Sequence, residues 1–281
     1  MTLTWGVVAA VLLAALLHAG WNALVKSGAD KAVDTALILL LGALLAAPGA
    51  LLVGLPPPAA WPYLAASMLI HVGYYTALVG AYRHGDLGLT YPLMRGSAPL
   101  LVALSAGSAL GETLSPLAWA GVLGISCGVL ALGLSRRSLD SPRALGFALA
   151  NAVVIAAYTV VDGLGVRAAG NALQYVLALF LLNGGPFALL VLARRGRGQA
   201  WPYLRARWPV ALAGAAASLA SYGIALWAMT RAPIATVAAL RETSVLFAAL
   251  LGTWLLKEEF SWRRALGTAT IVVGVMALRL G

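Results

Sequence analysis

The sequence predicts an all-α polytopic membrane protein: ten transmembrane helices, arranged as two inverted five-helix repeats around a central cavity. Three observations carry this. The chain of 281 residues is 62% hydrophobic and 10% charged, with a mean hydropathy of +0.91. A soluble core of this length has no use for so much apolar surface. Ten apolar runs each supply the ~20 residues that cross a bilayer as a helix. The pattern of the first five runs returns in the last five.

The runs fall at about 5–25, 35–55, 61–82, 87–110, 115–134, 144–166, 172–193, 208–230, 233–256 and 262–280. Polar turn signals separate them. They include Ser27-Gly28-Ala29-Asp30, Pro56-Pro57-Pro58, His84-Gly85-Asp86, Gly111-Glu112-Thr113 and Ser135-Arg136-Arg137. Ala169-Gly170-Asn171, the stretch from Arg194 to Arg207, Arg231-Ala232-Pro233 and Lys257-Glu258-Glu259 complete the set. The first run follows a start without basic residues and lacks a small-x-small cleavage site, so it reads as a retained helix. Cys127 is the single cysteine, which excludes an intrachain disulfide and a cysteine metal cluster. No cofactor or metal is expected.

The repeat spans nearly the whole chain, as 1–135 and 143–281. Trp61-Pro62-Tyr63-Leu64 returns as Trp201-Pro202-Tyr203-Leu204, a shift of 140 that also sets Gly6 on Gly146, His18 on Tyr158 and Asn22 on Asp162. Six extra residues then make the shift 146, which superposes Thr90 on Thr236, Arg95 on Arg241, Glu112 on Glu258, Gly121 on Gly267 and Gly128 on Gly274. An odd number of helices per repeat makes the second half enter the membrane from the opposite side. Inverted repeats of this kind build a site at their interface near the bilayer midplane.

Net charge is +10. In a soluble protein that would suggest nucleic acid. Here the basic residues sit in short connections, for example Lys31, Arg136, Arg137, Arg194, Arg207 and Lys257, and the opposite side holds only Arg167, Arg231 and Arg279. The positive-inside rule puts the first set in the cytoplasm and both termini outside.

The candidate site starts from 89–99 in the fourth run, which holds Pro92, Arg95, Gly96 and Pro99. Proline removes a backbone donor and disfavours helix before it, so a broken helix is expected there. The ninth run has Ala238 and Val245 at the matching places, so the break is expected in one half only. Arg95, Arg241 and Glu242 lie eight or nine residues into their runs, ~12–14 Å deep at 1.5 Å per residue. Glu242 is read as the sole carboxylate at that depth. Pairing it with Arg95 leaves Arg241 free for a substrate carboxylate. The competing reading is a structural pair, or guanidinium groups snorkelling to an interface.

His18, Trp21, Asn22 and Lys26 share one side of helix 1, and Tyr158 and Asp162 answer them in helix 6. They read as a polar cavity wall, or else as interhelical hydrogen bonds. His71, Tyr74, Tyr75 and Tyr82 in helix 3, Tyr91 in helix 4, and Tyr222 and Trp227 in helix 8 suit a flat or cationic substrate body. Trp5, Trp61, Trp201 and Trp208 read as an interfacial belt. Glu112 and Glu258 read as caps of the helices that follow them. Gly124, Gly128, Gly267 and Gly274 read as close helix packing.

Five-plus-five helices, Leu110-Gly-Glu-Thr-Leu-Ser115 closing the fourth, its echo Leu256-Lys-Glu-Glu-Phe-Ser261, and the glycine-spaced helix after each resemble the EamA-type branch of the drug/metabolite transporter superfamily. The resemblance implies a basket in which helices 1, 3, 4, 6, 8 and 9 surround the cavity, and alternating access. Its branches export amino acids, aromatic ones included, or carry sugars, nucleotide sugars and cationic drugs. The reading is thus a secondary carrier in the inner membrane that exports small metabolites, amino acids foremost. It works as a monomer, with the small-molecule substrate and the lipid bilayer as its partners and no nucleic acid. A sugar, nucleotide-sugar or cationic-drug carrier is the alternative within transport; a receptor or scaffold is the alternative outside it. Few deep carboxylates argue against a cation exporter. No paired-histidine metal motif, phosphate loop or nucleophile elbow points to an enzyme.

Overall fold

The structure is a computed structural model that describes residues 3–84, 87–133, 142–195, 197–256 and 262–281. The turns at Gly85-Asp86, Ser135-Arg136-Arg137 and Lys257-Glu258-Glu259, and the side chains of Lys26, Tyr75, Tyr82 and Thr90, lie outside the described residues. The described residues form helices and no strand.

The helices are α1 (Trp5–Lys26), α2 (Lys31–Val53), α3 (Trp61–His84), α4 (Leu87–Ser105), α5 (Pro116–Gly133), α6 (Pro142–Ala169), α7 (Ala172–Arg195), α8 (Arg197–Met229), α9 (Ile234–Arg241), α10 (Thr243–Leu256) and α11 (Trp262–Leu280). Their starts follow local chemistry. Thr4 caps α1, Asp30 caps α2 through the amides of Ala32 and Val33, and Ser115 caps α5. Asn171 caps α7 through the amide of Leu173. Each cap supplies an acceptor to an amide that has no partner inside the helix.

Among the described residues, six helical stretches are long and apolar enough to cross a membrane: Trp5–Val25, Lys31–Val53, Pro142–Ala169, Ala172–Val191, Trp201–Met229 and Ile234–Leu251. The outer surface fits the same reading. Leu51 and Leu52 are both 87% exposed, and Leu69, Leu104 and Leu189 are largely bare as well. Such an apolar surface suits lipid. Trp5, Trp61, Trp201 and Trp208 are exposed on it, and the guanidinium of Arg279 lies 5.0 Å from the Trp5 ring centre.

Three expectations need correcting. The fourth run stays helical through Pro92 and Pro99 and closes in a π turn over Ala106–Leu110. It is the ninth run that breaks, at Glu242, between α9 and α10. In lipid each unsatisfied backbone group costs several kcal/mol, so irregular backbone survives where protein surrounds it. Every residue of α9 is buried, and the break lies inside that shell. The stretch from Arg194 to Arg207 is not an open connection, since α8 already begins at Arg197.

Packing across the two halves is close. α5 lies against α11, α2 against α7, α3 against α6 and α1 against α8. A Cβ on Gly121 would stand 2.8 Å from the Gly274 carbonyl oxygen, and one on Gly128 2.8 Å from that of Gly267. Glycine is what lets α5 and α11 touch backbone to backbone.

Candidate functional site

The break in the ninth span presents two opposite charges on neighbouring residues. Arg241 is the last residue of α9, and Glu242 precedes α10. A cation at a helix C-terminus and an anion at a helix N-terminus both match the helix dipoles. Glu242 reaches α4, where Arg95 Nε lies 2.7 Å from Glu242 Oε2, with both side chains 5–6% exposed. The contact is ionic rather than an aligned hydrogen bond: Arg95 Nε and Nη2 and Glu242 Oε2 hold none. Pro99 carries no N–H, so the Arg95 carbonyl also lacks its helical partner.

Arg241 takes a different neighbour. Its guanidinium carbon stands 5.1 Å from the centre of the Tyr222 ring, a cation–π arrangement that gains strength away from water. Arg241 is buried, and among the described residues no carboxylate makes an ion pair with it. The Tyr222 hydroxyl donates to Asp162 Oδ2. The Tyr175 hydroxyl donates to Asp162 Oδ1 at 2.9 Å. Asp162 is fully buried.

Aromatic groups extend the cluster. His71 stacks on Tyr158 with ring centres 4.6 Å apart, and Tyr74 meets Tyr158 edge-on at 6.0 Å. Tyr91, Tyr158 and Tyr74 all lie in the electrostatic field of Arg95. His18 on α1 lies in the electrostatic field of both Arg95 and Arg241, while the Trp21 indole N–H donates to its Nδ1 at 3.3 Å. The structure thus gathers Arg95, Arg241, Glu242, His18, His71, Tyr74, Tyr91, Tyr158, Asp162 and Tyr222 on α1, α3, α4, α6, α8 and the α9–α10 break. Asn22 stands apart, since its amide donates to the carbonyl of His18 at 2.7 Å on its own helix. The side chain of Tyr75 lies outside the described residues.

Glu242 is not the sole deep carboxylate. Asp162 joins the same cluster through Tyr222. Sequence reasoning also passes over Tyr175, Ser67 and Asn151. Tyr175 sits in the first turn of α7, where a tyrosine looks like a belt residue. Asn151 donates to the Met94 sulfur at 2.8 Å between α6 and α4. No periodicity signals either contact.

Two charged ties sit away from this cluster. Arg167 on α6 donates from Nη2 to Glu112 at 2.7 Å and from Nε to the Met229 carbonyl at 2.8 Å. Glu112 accepts from the Ile234 amide at 3.0 Å. It therefore caps α9, not the helix that follows it as expected, because the left-handed turn at Gly111 swings it away from α5. Glu258, its counterpart, lies outside the described residues. The second tie joins Arg207 on α8 to Asp34 on α2 at 3.2 Å and to the Leu24 carbonyl of α1 at 3.2 Å. The Tyr203 hydroxyl donates to the same Asp34 at 2.8 Å. Each tie pairs an arginine with a carboxylate while closing the C-terminal carbonyls of another helix.

Residues 142–280 match the EamA-like transporter family. A crystal structure superposes on 98% of this chain and 96% of its own with a TM-score of 0.78, at 22% identity. That likeness concerns the fold. No curated protein matches the chain.

Proposed function

Because this chain is an EamA-type transporter, a multi-pass membrane protein of a transporter rather than an enzyme family, we propose that it is a secondary carrier for small metabolites bearing a carboxylate, amino acids foremost. It exports them across the cell's inner membrane as a monomer.

The reading uses ten spans, the ninth being α9 with α10, in two inverted repeats over 1–135 and 143–281. The packing supports it. Under the repeat, α5 answers α11 and α2 answers α7, and each of these pairs is in contact. The contact of α1 with α8 has its counterpart in that of α6 with α3, as a two-fold relation between the halves requires. Alternating access then rocks one half against the other about the charged cluster.

The observation that carries the substrate class is Arg241. Glu242 is held by Arg95, which leaves Arg241 a buried guanidinium against one aromatic face. A guanidinium binds a carboxylate through two parallel N–H donors. Arg241 would receive the substrate carboxylate, with Arg95 and Glu242 fixing the break that presents it. His71, Tyr74, Tyr75, Tyr91 and Tyr158 would border the substrate body, and His18, Asp162 and Tyr222 would supply polar contacts.

The test is uptake by vesicles holding the purified protein, across a panel of amino acids, sugars and quaternary amines. Amino-acid uptake above that of empty vesicles is expected. Uptake confined to sugars or amines overturns the substrate class.

A further inference from the structure

Asp162 differs from the other carboxylates held by an arginine. Glu242, Glu112 and Asp34 each face a guanidinium. Asp162 is fully buried, and among the described residues no cation makes an ion pair with it. Its hydrogen-bond donors are hydroxyl groups. Tyr175 comes from α7 and Tyr222 from α8. Ser67 and His71 face it from α3. Gly165, three residues along α6, leaves open the space that the Tyr175 hydroxyl fills. From α9, Arg241 lies against the Tyr222 ring. His71 Nδ1 lies 2.8 Å from the Ser67 carbonyl. A carbonyl accepts only, so that nitrogen carries the proton.

A carboxylate with no ion pair among the described residues, held by hydroxyl donors with His71 beside it, is suited inside a membrane to bind and release a proton. Tyr222 is placed to report the event. Its hydroxyl touches Asp162 and its ring face touches Arg241, so one side chain connects the carboxylate with the proposed substrate receptor.

We propose that Asp162 is a proton-binding site coupled to the substrate site through Tyr222; the coupling rests on the reading of Arg241 given above. With Asp162 ionised, the Tyr222 O–H is committed to Oδ2. When a proton from the aqueous phase binds Oδ2, the new O–H donates to the Tyr222 oxygen. Tyr222 must then turn its own O–H to another acceptor, and a carboxylate at Arg241 is one. One proton is gained, none is generated, and one hydrogen bond reverses. The added proton also offsets the charge of the incoming carboxylate. Proton and carboxylate therefore favour each other's binding, reciprocally. They cross together, so net flux follows the sum of the substrate and proton gradients.

Two measurements on the full chain decide it. The first is difference infrared spectroscopy of the purified protein across pH, following the C=O stretch of a protonated carboxyl group. The expected band grows as pH falls, disappears in Asp162→Asn and persists in Glu242→Gln. Tyr222→Phe removes a donor to the ionised form, so its band titrates at higher pH than in the parent. A band unchanged in Asp162→Asn overturns the proton site. Should Asp162→Asn not fold, an unmoved titration in Tyr222→Phe does so. The second is L-phenylalanine uptake by vesicles with a trapped pH indicator. Internal acidification that accompanies uptake, and is lost in Asp162→Asn, is expected. Uptake without acidification overturns the coupling. Absence of uptake by the parent strikes at the substrate class instead, and the infrared titration still decides the proton site.

Discussion

Arg95 Nε on α4 lies 2.7 Å from Glu242 Oε2 at the break between α9 and α10, so a buried charge in one half of the chain is neutralised by a buried charge in the other. Two charges removed from water recover that cost only while both are present.

The pair sets the first prediction. Arg95→Met and Glu242→Gln should each cost ~3–5 kcal/mol, because each leaves an uncompensated buried group. The double variant should cost less than the sum of the two. Thermal unfolding of the parent, both single variants and the double variant closes the cycle. Additive losses would show that the residues do not interact.

Arg167 carries the second. Its guanidinium serves Glu112, the Met229 carbonyl and the Ala232 carbonyl together. Arg167→Met strips donors from two backbone carbonyls and a carboxylate, with an expected loss of ~1–3 kcal/mol. Arg167→Lys should restore only part of it, since an ammonium lacks the planar fork that meets several acceptors at once. Melting temperatures ranked parent, Lys, Met are expected; a lysine variant equal to the parent would show that charge alone suffices.

Orientation is the third. The excess of arginine and lysine on one set of connections predicts that both termini lie outside the cytoplasm. A fluorescent reporter that matures only in the cytoplasm, fused after Gly281, should leave cells dark. Bright cells would reverse the assignment.

Much of this architecture is legible in the residues, because lipid imposes length and polarity on every span. The Arg95–Glu242 pair is legible too: both charges fall well inside apolar runs, and the repeated sequence pattern sets Arg95 on Arg241, the neighbour of Glu242. The spacing of Gly124, Gly128, Gly267 and Gly274 signals close helix packing, and the fold shows that α5 and α11 are the partners. The break in the ninth span is not legible. Its backbone rule, proline as breaker, points to α4, where the helix holds despite losing two donors. The Glu112 cap is missed because its target, Ile234, is far away in the chain. Asp162 is seen as a polar residue but not as a carboxylate held by two tyrosines, since Tyr175 and Tyr222 meet it only in the folded bundle.

Arg241 is the proposed receptor of the substrate carboxylate. The most direct test compares uptake of L-phenylalanine with uptake of phenethylamine, its analogue without the carboxylate, by vesicles holding the parent or Arg241→Met. The parent should take up phenylalanine and discriminate against the amine. Arg241→Met should lose phenylalanine uptake while melting close to the parent, because no ion pair among the described residues is broken. Phenylalanine uptake and discrimination retained in Arg241→Met would contradict the account.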